Sequence, residues 1–325
     1  MNDKLQKYEF VLYYTLRKNI FQDGFMTLFA FLLIVFSACL HASWNLLAKR
    51  SSMTVAFYTV ICATAMTLWC HVQFWTPLKV WQMPMIFYLY IAGSVLSDTV
   101  YCLGLVRAYR TMEMSTAYPM MRSLPLLFTA AVTSLTGWGA PLTPLALFGM
   151  LVVFIGCMIM PMKDFKSFKW QDYLNSRMFF IIIVACGTTG YTIFDSQAQS
   201  VLRQIYTDAA KPLISLSYYS TRGICLTGTL LLVCCLLRGE AVNLKNIFKQ
   251  KQWMAFAAGA FASLTYVTVL LAMNYVTNVS YVQVFRQLGL IFGLLGGILI
   301  LKERCSAPKI TGTLLIITGL VLTVL

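Results

Sequence analysis

The chain has 325 residues, 59% of them hydrophobic and 11% charged, at a mean hydropathy of +0.74. Soluble domains carry about 25% charged residues. This deficit, with apolar runs of about twenty residues recurring, excludes a soluble globular protein and marks a polytopic helical membrane protein. The net charge of +14 lies mostly between the apolar runs, so it faces the membrane and sets topology rather than binding nucleic acid.

The first 24 residues do not form a span. Leu5, Tyr8, Leu12, Leu16 and Ile20 recur at helical spacing among Lys4, Lys7, Arg17 and Lys18, as in an amphipathic helix lying at the interface; a loose tail is the alternative. Ten spans follow, at 26–48, 53–75, 84–106, 114–136, 142–161, 177–199, 212–237, 252–273, 278–301 and 308–325. The link at 162–176 is the most polar. It divides the chain into a first five-helix repeat at 25–161 and a second at 177–325. An odd number of spans per repeat inverts the second half relative to the first. The fold class is therefore an all-α integral membrane protein, two inverted five-helix repeats around a central cavity.

The duplication is clearest at two arginines. The stretch from Ser115 through Tyr118, Pro119, Arg122 and Pro125 to Phe128 runs in step with the stretch from Asn278 through Tyr281, Arg286 and Gly289 to Phe292. Each begins polar, carries one Arg, and continues apolar. Glycines seven apart then follow in each half, Gly149 with Gly156 and Gly312 with Gly319. The odd-numbered links hold fifteen Lys and Arg, against seven in the N-terminal tail and even-numbered links. By charge alone both termini would lie outside.

His41-Ala42-Ser43-Trp44-Asn45 resembles the first-span signature of EamA-like proteins in the drug/metabolite transporter superfamily. So does the ending, where Glu303 precedes a last span marked by Gly312 and Gly319. The resemblance covers about residues 26–325 and is nearest in wording to bacterial members, some associated with phosphonate use. It implies ten helices around a cavity, alternating access, and a multi-pass protein of the bacterial cytoplasmic membrane. Three features depart from the family pattern, one being an N-terminal extension longer than usual. Gly139-Ala140-Pro141 stands where an acidic residue is expected before the fifth span, and the family keeps its termini in the cytoplasm, against the charge count.

Polar groups within the spans are the candidates for chemistry. A central Arg costs about 2.5–3.5 kcal/mol on insertion scales, so it faces protein interior or water. Arg122 and Arg286, at matching repeat positions, suit bidentate capture of a carboxylate, phosphate or phosphonate; the alternative is that each satisfies helix-end carbonyls or pairs with an acid. Ser37, His41, Asn45 and Lys49 share one helix face bordered by Trp44, either a cavity wall or a packing seam. Asp98, Asp195 and Arg222 are placed to balance charge or to carry a coupling proton. Tyr118, Tyr266 and Tyr281 fall near the expected cavity, either as an aromatic cage for a quaternary amine or as ordinary interfacial tyrosines, and Tyr191, another candidate for the solute, lies beside Asp195 at helical spacing. Gly289, Gly293 and Gly297 form a doubled GxxxG run for close helix packing.

No Walker A loop, GxGxxG, HExxH or nucleophile elbow occurs, and no CxxC or Cys/His cluster, so no cofactor or metal is expected. The reading is a secondary transporter or exchanger, not an enzyme, of a small anionic or zwitterionic metabolite of phosphonate, organophosphate or amino acid type. The bilayer and the solute are its partners. A proton or counter-solute supplies the coupling, and the protein is a monomer or dimer. A membrane-embedded enzyme or lipid-headgroup flippase using the same cavity is the second class.

Overall fold

A computed structural model describes residues 26–48, 53–112, 114–162, 164–165, 176–250, 252–299 and 306–325. The expected amphipathic segment at 1–24 and most of the polar link at 162–176 lie outside the described residues, as do the side chains of Trp44, Asn45 and Tyr118. In chain order the helices are α1 (Leu28–Ala48), α2 (Val55–Trp69), α3 (Val72–Trp75), α4 (Met85–Thr111), α5 (Met114–Thr136), α6 (Pro144–Ile159) and α7 (Met178–Ile205). They continue as α8 (Lys211–Leu236), α9 (Glu240–Lys249), α10 (Trp253–Met273), α11 (Val279–Phe285), α12 (Leu288–Leu299) and α13 (Ala307–Val324). Among the described residues, β pairing is confined to an isolated antiparallel bridge between Met26 and Val276.

The chain is an all-helical membrane protein. Among the described residues, Val55–Trp75, Met85–Thr111, Met178–Ile205, Lys211–Leu236, Trp253–Met273 and Ala307–Val324 are long and apolar enough to cross a bilayer. Local chemistry sets several starts. Thr54 caps α2 by accepting from Phe57 N at 3.0 Å. Thr143 caps α6 by accepting from Ala146 N at 3.1 Å, with Pro144 at the first position, where its missing N–H costs nothing. Pro119 and Pro125 both lie inside α5, which stays continuous.

Two elements differ from the sequence expectation. The span at 278–301 is divided into α11 and α12 around Arg286 and Gln287. There Gln287 N–H bonds to Val284 O at 3.1 Å and Gly289 N–H to Arg286 O at 3.1 Å, three residues back rather than four. The guanidinium of Arg122 enters the ladder, its Nη2 donating to Arg286 O at 2.6 Å. A side chain inserted into the backbone ladder is a recognised cause of such breaks. The second difference is α9, a short helix in the link after α8. Its Glu240 accepts from Ala56 N at 2.9 Å, at the start of α2, and pairs with Arg110 at 3.4 Å.

Packing follows the small residues. Along α6 and α13 the backbones nearly touch: a Cβ on Gly149 would meet Gly319 O at 2.7 Å, and one on Gly156 would meet Gly312 O at 2.8 Å. The glycine pairs of the two halves thus face one another crosswise. Elsewhere α4 packs along α7, and α10 along α1.

At the end of the bundle that carries Met26, the link 274–278 bonds to two neighbouring segments. Thr27 N donates to Tyr275 O at 3.2 Å, Ala140 N to Thr277 O at 3.0 Å, and Asn278 Nδ2 to Ala140 O at 2.9 Å. Gly139 is needed at this contact. Its φ of 113° is one that L side chains rarely adopt, and a Cβ would sit 3.1 Å from Asn278 Nδ2.

Candidate functional site

Midway along α4, α7 and α8, three charged side chains meet in the interior. Asp98 and Ser94 lie on one face of α4, Asp195 on α7 and Arg222 on α8. Arg222 Nη2 donates to Asp98 Oδ2 at 2.6 Å. Its Nε donates to Ser94 Oγ at 2.7 Å and to Asp195 Oδ1 at 3.1 Å. Asp195, with no exposed surface, also accepts from the Ser94, Tyr218 and Tyr266 hydroxyls. Asp98 accepts a second bond from Tyr58 at 2.8 Å. A buried charge is tolerated only when paired and hydrogen-bonded, and this cluster meets that condition on every member. The three charges thus pair with one another in the interior.

A cavity of about 110 Å³ opens beside this cluster. Its wall carries Asp98, Arg222, His41 and Arg286 together with five tyrosines, Tyr58, Tyr101, Tyr191, Tyr219 and Tyr266. The rings form a continuous arc. Successive centroids from Tyr58 through Tyr101, Tyr191 and Tyr266 to Tyr219 are 6.0, 5.8, 5.8 and 6.1 Å apart. Arg222 lies over the Tyr266 and Tyr191 rings, 5.2 and 5.8 Å from their centroids. Tyr58 and Tyr266 spend their hydroxyls on the aspartates. Among the described residues the hydroxyls of Tyr101, Tyr191 and Tyr219 make no hydrogen bond, and none is a buried, unsatisfied atom, so they are open to the cavity.

Arg122 and Arg286 play different parts. Arg286 lines the cavity, is 8% exposed, and among the described residues its guanidinium makes no ion pair or hydrogen bond. Arg122 is not on the cavity wall. Its Nη1 is 2.9 Å from His41 Nε2 and its Nη2 holds the Arg286 carbonyl, while Gln287 Nε2 returns a bond to Arg122 O at 2.9 Å. The reading that an arginine satisfies a helix-end carbonyl fits Arg122. Among the described residues the cavity wall carries formal charges of +2 from Arg222 and Arg286 and −1 from Asp98, a net +1, and Arg122 and Asp195 behind it cancel one another.

The candidates from the sequence therefore divide. His41, Asp98, Arg222, Tyr191, Tyr266 and Arg286 share the cavity, with Asp195 directly behind it. Tyr281 is fully buried on α11 and absent from the cavity wall. Trp44, Asn45 and Tyr118 fall outside the described side chains. Tyr58 and Tyr219 were not anticipated. A signal for Tyr58 existed: the offset of 164 residues that lays Arg122 on Arg286 also lays Tyr58 on Arg222, and both of these bond Asp98. Tyr219 carries no comparable mark. Among the described residues no group of His, Cys, Asp and Glu could hold a metal ion.

Comparison with curated proteins finds no relative. One solved structure, described in its own words as "Crystal structure of protein", aligns over 90% of this chain and 96% of that one, with a TM-score of 0.60 at 13% identity, a likeness of fold alone. The family described as "Sugar transport protein" matches residues 58–325, most of the chain. That family is of the drug/metabolite transporter kind, so the broader resemblance holds, while the EamA-like assignment within it is not what the match shows. The cavity and its charged wall thus belong to a membrane transporter, and the chain is a member of the sugar transport protein family.

Proposed function

We propose that the protein is a secondary transporter or exchanger that carries a small anionic or zwitterionic metabolite by alternating access. The observation that carries this reading is the Arg286 guanidinium, interior, facing the cavity and, among the described residues, without a counter-charge. An unpaired cation in a low-dielectric interior is costly, and an anionic solute offsets that cost when it binds. Arg122 acts through Arg286: by clasping its carbonyl it fixes the break between α11 and α12 and so the direction of the neighbouring side chain.

Alternating access rests on the two halves being inverted copies. Under that relation α1, α2, α4 and α6 correspond to α7, α8, α10 and α13. The packing of α4 on α7 exchanges with that of α10 on α1, and α6 with α13 is a self-pair, crossed at matching glycines. These pairings support the relation. On this reading the bonded Met26 end is the closed side, and rocking of the halves would exchange that seal for one near Glu240.

The test is counterflow in proteoliposomes loaded with a mixture of organic anions and amino acids. The wild type should exchange at least one acidic solute, and Arg286→Ala should lose that exchange while remaining folded. Arg122→Ala should lower both thermal stability and exchange, as a positioning residue would. Exchange unchanged in Arg286→Ala, or confined to cations, overturns the proposal.

A further inference from the structure

Resting on that reading, we infer that the acidic solute is a sugar acid: a polyhydroxylated monocarboxylate, its carboxylate at Arg286 and its hydroxyls along the tyrosine arc. The polar capacity left open in the cavity is what selects it. Arg286 offers a planar fork of donors with no partner among the described residues, which matches a carboxylate in a bidentate geometry. Tyr101, Tyr191 and Tyr219 offer three hydroxyls, each able to donate and to accept, and none spent on protein. A simple organic acid would satisfy the first and leave the hydroxyls desolvated without partners. A neutral sugar would satisfy the hydroxyls and leave the cation unpaired. A sugar acid satisfies both sets.

The rings serve as well as the hydroxyls. A pyranose presents a C–H face that packs on an aromatic surface, and the arc from Tyr101 to Tyr219 supplies several rings near mutual contact. The charge count decides between acids. The region carries a formal +1, which one carboxylate neutralises, whereas a dianionic phosphate ester would leave −1 buried beside Asp98. An amino acid would bring an ammonium toward the one acid on the wall, Asp98, whose two oxygens already hold Arg222 and Tyr58.

The test uses D-galacturonate, D-glucose, D-glucose 6-phosphate and L-glutamate with the purified full chain, read by ligand-induced thermal stabilisation and by proteoliposome counterflow. Galacturonate is expected to bind about tenfold to a hundredfold more tightly than glucose, the worth of a charge-assisted pair. Arg286→Gln should bring the two together by weakening galacturonate alone. The Tyr101→Phe and Tyr191→Phe variants, which keep the rings, should weaken galacturonate and glucose in parallel. Preference for glutamate, or for glucose 6-phosphate, overturns the sugar-acid assignment and leaves the anion transporter standing. Glucose bound as tightly as galacturonate by the wild type overturns both. If Arg286→Gln fails to fold, the wild-type order of the four compounds still decides.

Discussion

At the scale of single residues, the interior charges divide into a closed set and an open one. Arg222, Asp98 and Asp195 are bonded to one another and to Ser94, Tyr58, Tyr218 and Tyr266. Removing one partner from a buried pair leaves the other uncompensated, which costs about 3–5 kcal/mol. Asp195→Ala is therefore expected to lower unfolding stability in detergent by that amount. Asp195→Ala combined with Arg222→Met should cost less than the sum of the two singles, because the second change removes the orphaned charge. Additive losses would show that the cluster contributes no coupling. Arg286 belongs to the open set: its replacement by a neutral side chain should leave stability unchanged or raised.

At the scale of elements, close backbone approach is set by where a Cβ has room. Gly156 on α6 lies against the Gly312 carbonyl, so Gly156→Ala forces backbone apart and should cost about 1–3 kcal/mol in thermal unfolding. Gly293 on α12 has nothing within 4 Å of its added Cβ. There Gly293→Ala should be neutral or stabilising by up to about 1 kcal/mol, through helix propensity. The doubled GxxxG run thus loses one member as a packing contact, whereas Gly289 keeps its role, with a Cβ 3.3 Å from Arg122 Nη2. Room for the arginine at the helix break is the physical reason for a glycine there.

At the scale of the whole molecule, the Met26 end is held by backbone pairing between residues far apart in the chain, Met26 with Val276 and Ala140 with Thr277. Directly opposed residues of an antiparallel pair have Cα atoms about 4.5–5.5 Å apart, within disulfide reach. With the ten native cysteines replaced, Met26→Cys with Val276→Cys should oxidise to a disulfide and stop counterflow, and reductant should restore it. Transport that continues with the cross-link in place would mean that this end does not open, and alternating access through it would fall.

The membrane class and the long apolar helices were legible in the sequence, as were the arginines that lie among them, because bilayer thickness and the cost of buried charge act on composition and spacing directly. The register that pairs Arg122 with Arg286 also marked Tyr58 against Arg222. What the linear order could not decide was partnership. Whether an arginine meets a carbonyl, a carboxylate or an empty cavity depends on which helices are neighbours, so Arg122, Arg222 and Arg286 look alike in sequence and differ in role. The break at Arg286 and Gln287 has the same origin, since its cause is a guanidinium reaching over from α5, 164 residues earlier. Hydrophobicity determines what lies in the membrane; contacts between distant segments determine which of the polar groups there remain free to bind.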